Sequence, residues 1–101
     1  MAQRPATPAR DDQSRPPLFA LEEWRAIVRT LALSPRQAQV VGLAMQSKKD
    51  KEIAKILRVD ETTVYSHIKL ARSRLQAADR MGLAYRVFEC FRQVVERRTS
   101  S

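Results

Sequence analysis

The residues best suited to chemistry lie between Thr62 and Ser73, where hydroxyl groups and cations recur at helical spacing. At about 100° per residue, four of these side chains share one face of a helix: Thr62, Ser66, Lys69 and Ser73. Tyr65 and Arg72 flank this face, and no acidic residue follows Glu61 within the stretch. Hydroxyl groups and cations can contact phosphates and the edges of bases. Because a solvent-facing helix usually mixes Glu with Lys, this face predicts binding to nucleic acid.

Catalytic and metal-binding constellations are missing from the sequence. One histidine and one cysteine, His67 and Cys90, cannot complete a closed zinc site. There is no glycine-rich phosphate loop, no His-Glu-x-x-His motif and no Ser/His/Asp grouping, so we expect no enzyme, no cofactor and no metal. His67 is better explained as a packing or phosphate-contacting residue than as a catalytic base.

Composition favours one small helical domain with a polyanionic partner. The chain has 101 residues, only two glycines and 44% apolar residues, which suits a single all-α core. Residues 35–80 supply most of the net charge of +8, with ten Lys or Arg against five acids. This asymmetry favours nucleic acid as the partner. A lone cysteine, no signal peptide and no apolar run of about 18 residues lead us to expect a cytoplasmic protein without membrane contact.

The first third of the chain is predicted to form an arm and a helix. Residues 1–17 hold four of the five prolines and few apolar residues, so we predict a disordered arm whose arginines are solvated or touch DNA. A first helix is predicted over residues 18–32. Its apolar side chains recur at helical spacing: Leu21, Trp24, Ile27, Val28 and Leu31. We expect Trp24 to pack on the domain, and the alternative is that this helix forms a partner or dimer surface.

Three helices are predicted next, and the second and third of them form a helix-turn-helix. Ser34, Pro35 and Gln37 are typical of a helix start with a capping box. A short helix is predicted over residues 50–57 and a longer one over about residues 61–76, with Asp60 as its N-cap. Their predicted core faces are Ile53, Ala54 and Leu57, and Val64, Ile68, Ala71 and Leu75. A three-residue turn between two such helices is typical of a helix-turn-helix.

A last helix is predicted over about residues 81–97, before a short tail at 98–101. It carries two apolar stripes. The first consists of Leu83, Val87, Cys90 and Val94, and the second of Ala84, Phe88, Phe91 and Val95. One stripe suffices to dock the helix on a small core, so we predict that the second is a dimer interface. The alternative is that the helix over residues 18–32 folds back and covers the second stripe within one chain.

Several short motifs match a known family. They are Leu33-Ser34-Pro35-Arg36-Gln37, Lys51-Glu52-Ile53-Ala54, Val59, Thr63-Val64, His67, Leu75 and Asp79-Arg80. Together they resemble the LuxR/GerE-type DNA-binding domain over roughly residues 33–95. The resemblance implies a four-helix domain within residues 33–97, here with one extra N-terminal helix, of a kind found mostly in bacterial transcription regulators. The helix over 61–76 would enter the major groove of double-stranded DNA, and the helix over 81–97 would mediate dimerisation.

The resemblance also implies site residues and a function. Base contacts would come from Tyr65, Ser66 and Lys69. Backbone contacts would come from Lys51, Thr62, Thr63, His67 and Arg72. The implied function is that of a sequence-specific transcriptional regulator that binds DNA as a homodimer.

The sequence departs from the family pattern at several positions. Arg58 stands where a turn glycine is usual, and a left-handed backbone there would cost about 1 kcal/mol. Lys49 replaces a hydroxyl N-cap, so Asp50 is expected to take that role. Leu70 and Tyr65 replace residues that are often polar or cationic. Two other functions stay open: a sigma-like promoter-reading module, and an adaptor that binds a regulator or RNA polymerase through its apolar helices.

Overall fold

The computed structural model describes residues 14–100, and from Leu21 onward these form five helices and no strand. The helices are α1 (Leu21–Thr30), α2 (Pro35–Ala44), α3 (Asp50–Leu57), α4 (Glu61–Leu75) and α5 (Arg80–Ser100). This confirms the predicted all-α class and the extra N-terminal helix. α1 is shorter than predicted, and α5 continues three residues past the predicted end.

Side chains that satisfy free backbone N–H groups fix where the helices begin. At α2 the capping box is complete: Ser34 Oγ accepts from the Gln37 N–H at 3.1 Å, and Gln37 Oε1 accepts from the Ser34 N–H at 3.0 Å. At α5, Asp79 Oδ1 accepts from the Gly82 N–H at 2.8 Å, an N-cap that the sequence analysis missed.

One predicted cap is confirmed in position only, and another is wrong. Asp60 occupies the N-cap position of α4, but its side chain makes no capping hydrogen bond, and its carbonyl oxygen instead accepts from the N–H groups of Thr63 and Val64. Asp50 is the first residue of α3, and the N-cap position belongs to Lys49. The Lys49 N–H donates to the Glu52 carboxylate at 2.8 Å, so the acid three residues on replaces the missing cap.

The first four helices are followed by turns that each contain one left-handed residue other than glycine. These residues are Ala32, Ser47, Arg58 and Gln76, with φ between 55° and 67°. Both glycines lie within helices and have negative φ. The chain therefore reverses direction at residue types for which the left-handed conformation is unfavourable.

α4 is the centre of the packing and contacts α2, α3 and α5, while α1 packs on α5. The predicted core stripes of α3, α4 and α5 are all buried. They are Ile53, Ala54 and Leu57, then Val64, Ile68, Ala71 and Leu75, then Leu83, Val87, Cys90 and Val94. Trp24 and Ile27 of α1 are buried as well, which confirms that Trp24 packs on the domain. Within residues 14–100, no helix has the length and apolar character needed to span a membrane.

The segment before α1 packs against the domain around Phe19, a residue that the sequence analysis did not single out. Phe19 is fully buried, and its ring lies 5.9 Å from Trp24, 5.6 Å from Phe88 and 4.8 Å from Phe91 between centroids. These distances are typical of interacting aromatic pairs. Phe19 thereby joins the N-terminal segment to α5.

The packed chain extends back to Ser14. Ser14 and Pro16 are buried, and the Gln46 side chain donates to the Arg15 carbonyl oxygen at 3.4 Å. A methyl group on Gly42 would overlap the Ser14 carbonyl oxygen, so the glycine permits this close approach. Most of the predicted arm, residues 1–13, lies outside the described residues. The prediction of a disordered arm is wrong for its end, because Ser14 and Pro16 are buried.

Candidate nucleic-acid interface

α3 and α4 form the predicted helix-turn-helix. α3 ends at Leu57, the turn consists of residues 58–60, and α4 begins at Glu61. Arg58 has φ 58° and ψ 48°, so the position keeps the left-handed conformation that the usual glycine would favour. The turn is closed by the Val59 N–H, which donates to the Ala54 carbonyl oxygen at 3.0 Å.

The side of α4 opposite its core stripe is exposed, and we call it the outer face. Its residues are Thr62, Tyr65, Ser66, Lys69, Leu70 and Ser73, all of which are solvent-exposed. The three residues predicted to contact bases, Tyr65, Ser66 and Lys69, therefore lie together on one accessible surface. No carboxylate interrupts it, since Glu61 at the first turn is the only acid of α4.

The residues predicted to contact the DNA backbone lie around this face with different exposure. Lys51 in the first turn of α3 is exposed, whereas Thr63 is half-buried at the start of α4. His67 is half-buried too, and its Nδ1 atom is buried without a hydrogen-bond partner.

Arg72 differs from the other predicted contacts because its guanidinium group has a role within the chain. Its Nη2 atom donates to the Ala78 carbonyl oxygen at 2.7 Å, across the turn between α4 and α5. The side chain is half-buried. This bond draws Arg72 towards the turn and away from the outer face.

Arg80 is a residue whose role the sequence analysis missed. Its guanidinium group forms an ion pair with Asp50 and donates to the Lys48 carbonyl oxygen at 3.0 Å. These contacts tie the start of α5 to the start of α3, next to Lys51. The motif Asp79-Arg80 was visible in the sequence, but its partners lie about 30 residues away and are brought together only by the fold.

The sequence matches the family model of the bacterial regulatory proteins of the LuxR family over residues 31–87, which is more than half of the chain. The chain belongs to this family. No curated protein and no solved structure gives a significant match. The matched range contains the whole of α2, α3 and α4 and the start of α5, so the outer face lies inside the family domain.

Membership of the LuxR family makes this chain a helix-turn-helix protein of a DNA-binding, transcription-regulating family. The family is a regulatory one rather than an enzyme family. α1 and the segment around Phe19 begin before the match and extend the LuxR-family domain at its N-terminal side.

The predicted dimer stripe of this LuxR-family protein is partly covered from within the chain. Phe91 is half-buried against Phe19, and Ala84 is half-buried as well. Phe88 is 41% exposed, and Val95 also lies in the exposed class. Phe19, in the segment before α1, therefore covers the edge of the stripe at Phe91, and the edge at Phe88 and Val95 stays accessible.

Residues beyond the predicted stripe extend its accessible edge. Met81 and Tyr85 lie on the same side of α5 as Phe88 and are 81% and 62% exposed. Beside them, a groove of about 390 Å³ runs between α5, the end of α2 and the segment before α1. Its lining is Pro16, Pro17, Leu18, Met45, Gln46, Ala84 and Phe88.

Proposed function

We propose that this LuxR-family protein is a sequence-specific transcriptional regulator that inserts α4 into the major groove of double-stranded DNA. The observation that carries the proposal is the exposed, acid-free outer face of α4. An α-helix fits the major groove, where each base pair presents a distinct pattern of donors and acceptors. Serine and lysine side chains on that face supply groups that can match such a pattern.

In this proposal, contacts to bases and contacts to phosphates have different roles. Tyr65, Ser66 and Lys69 contact base edges and determine sequence preference. Lys51, Thr62, Thr63 and His67 contact phosphates and fix the position of α4 on the duplex. Arg72 supports the turn to α5 through Ala78 and contributes charge near the backbone.

Selection of bound sequences from random duplex DNA tests the proposal. We expect Lys69→Ala to cost about 1–3 kcal/mol of binding free energy on the selected site and to relax the preference at one base pair. Lys51→Ala is the matched control, since loss of a phosphate contact weakens binding to all sequences about equally.

A Lys69→Ala protein with unchanged affinity and unchanged preference would show that α4 does not read the bases. The salt dependence gives a second readout, because DNA binding weakens steeply with salt and an apolar protein interface does not. Binding to an RNA polymerase subunit or a regulator that is insensitive to salt, without DNA selection, would support the adaptor alternative instead.

We further propose that the protein binds DNA as a homodimer through the accessible edge of α5. Met81, Tyr85 and Phe88 form an apolar surface, and the neighbouring groove between Leu18 and Ala84 continues it. A two-fold pair buries the same patch from both copies. The two α4 helices would then read an inverted repeat, so a repeat in the selected DNA would support the dimer.

A further inference from the structure

One large apolar side chain on the outer face of α4 has no role in the fold. Leu70 is 56% exposed and lies one helical turn after Ser66, on the row of side chains that begins at Thr62. Val64, Ile68, Ala71 and Leu75 fill the core-facing side of the helix, and Leu70 is not part of the buried cluster. The exposed surface of the Leu70 side chain is therefore available for contact with a partner.

The surroundings of Leu70 make it the most prominent apolar group at that edge of the outer face. Ser66 and Ser73, its neighbours one turn before and three residues after, are exposed and carry short side chains. Lys69, next in sequence, is exposed as well. A single exposed leucine is common on protein surfaces, but this one lies beside the residues proposed to contact bases.

The major groove limits what an exposed leucine can recognise. Base edges there carry hydrogen-bond donors and acceptors, and the one apolar group is the 5-methyl group of thymine. A leucine placed against a donor or acceptor would remove it from water without replacing its hydrogen bond, which is unfavourable. Contact with the thymine methyl group buries apolar surface on both sides.

We propose that Leu70 is a specificity-determining residue that contacts the 5-methyl group of a thymine beside the base pair contacted by Ser66. This inference rests on the proposed function, because it requires α4 to lie in the major groove. It identifies the DNA targets as sites with a thymine at one defined position of each half-site. The preference expected from burying one methyl group is about fourfold in affinity.

Replacement of thymine by deoxyuridine tests this contact, since deoxyuridine keeps the base pair and the O4 acceptor and lacks only the methyl group. Each thymine of the selected duplex is replaced singly, and binding is measured by fluorescence anisotropy. We expect the wild-type protein to lose about fourfold affinity at one thymine of each half-site. Leu70→Ala should bind the thymine and deoxyuridine duplexes equally, with unchanged helicity by circular dichroism.

Leu21→Ala removes another exposed leucine, from α1, and should keep the fourfold ratio of the wild type. The inference is overturned if the selected site contains no thymine, if every deoxyuridine replacement is neutral, or if Leu70→Ala keeps the wild-type ratio. In those three outcomes sequence-specific binding by α4 still stands. A wild-type protein that binds all duplexes alike contradicts the proposed function and the role of Leu70 together.

Discussion

At the scale of single residues, the left-handed backbone of Arg58 in the turn between α3 and α4 lowers the stability of the domain. Arg58 is left-handed, and its side chain is exposed. Glycine adopts this conformation without the steric penalty of a Cβ atom, although it also gives the unfolded chain more freedom. The family's usual glycine therefore suits this position better than the arginine that this chain carries.

We expect Arg58→Gly to raise the free energy of unfolding by up to about 1 kcal/mol. Urea titration followed by circular dichroism measures this change. Arg58→Ala removes the same side chain and keeps the Cβ atom, so it should not stabilise the domain. A decrease in stability for Arg58→Gly would mean that the arginine side chain contributes more than the strain it causes.

A substitution at Gly42 tests how the N-terminal segment packs against α2. An alanine in the middle of a helix is usually about 1 kcal/mol more stable than glycine. Here its methyl group would overlap the Ser14 carbonyl oxygen, so the segment over residues 14–17 must move. We expect Gly42→Ala to destabilise the full chain by about 1–3 kcal/mol in thermal unfolding.

A chain that starts at residue 18 provides the control for this prediction. Without Ser14, the nearest remaining neighbour of the methyl group is the Trp24 ring, at 3.2 Å. The same Gly42→Ala change should therefore cost clearly less than in the full chain, because the gain in helix propensity offsets this milder contact. An equal cost in the two chains would mean that the contact between Ser14 and α2 is too weak to hold the segment in place.

At the scale of the helices, local patterns in the sequence predicted most of the fold. The apolar periodicity of α3, α4 and α5 identified their buried faces, because burial at a spacing of 3.6 residues leaves a direct trace in the sequence. The capping box at Ser34 fixed the start of α2 for the same reason: both partners lie within four residues. The exposed face with Ser66 and Lys69 could be predicted because it is the complement of a clear core stripe.

Contacts between distant segments left no such trace. The position of Phe19 against Phe91, and the pairing of Arg80 with Asp50, depend on how α5 returns past the rest of the domain. From the sequence alone, the segment up to Pro17 was therefore predicted to be disordered. For the same reason, Phe91 was predicted to lie in a dimer interface. Arg72 was predicted to contact DNA because it flanks the outer face of α4. Its bond to the Ala78 carbonyl oxygen left no trace in the sequence, because any residue can supply a backbone carbonyl.

Substitutions on α5 separate its internal contacts from its accessible edge. Phe91→Lys places a charge against Phe19 and should destabilise the domain by about 3 kcal/mol or more. Tyr85→Lys changes an exposed position and should alter the free energy of unfolding by less than about 0.5 kcal/mol. Chemical denaturation of both variants measures the difference, and equal destabilisation would contradict the burial pattern of α5.

At the scale of the whole molecule, the Tyr85→Lys variant also tests how copies associate. If the accessible edge of α5 is a dimer interface, Tyr85→Lys should give a folded monomer that binds one half-site weakly. Sedimentation over a concentration series, with and without DNA, measures this change. A wild-type protein that stays monomeric at high concentration and on DNA would contradict the dimer, while leaving base recognition by α4 intact.

Most of the net positive charge and the accessible apolar edge of α5 lie on different parts of the chain. Residues 35–80 carry most of the positive charge and include the outer face of α4. The accessible apolar edge lies on α5, and Arg80 joins the start of that helix to the start of α3 through Asp50. This ion pair therefore links α3, which is proposed to contact the DNA backbone through Lys51, with α5, which is proposed to form the dimer interface.

Amide chemical-shift mapping of the full chain with a selected duplex tests the central claim most directly. With the outer face of α4 in the major groove, the largest shifts should fall on Thr62, Ser66, Lys69 and Ser73, with a second group at Lys51. The amides of α1, which packs on α5, should change little when binding occurs through α4. Large shifts confined to α1 and α5, with α4 unchanged at saturating DNA, would contradict recognition by this helix.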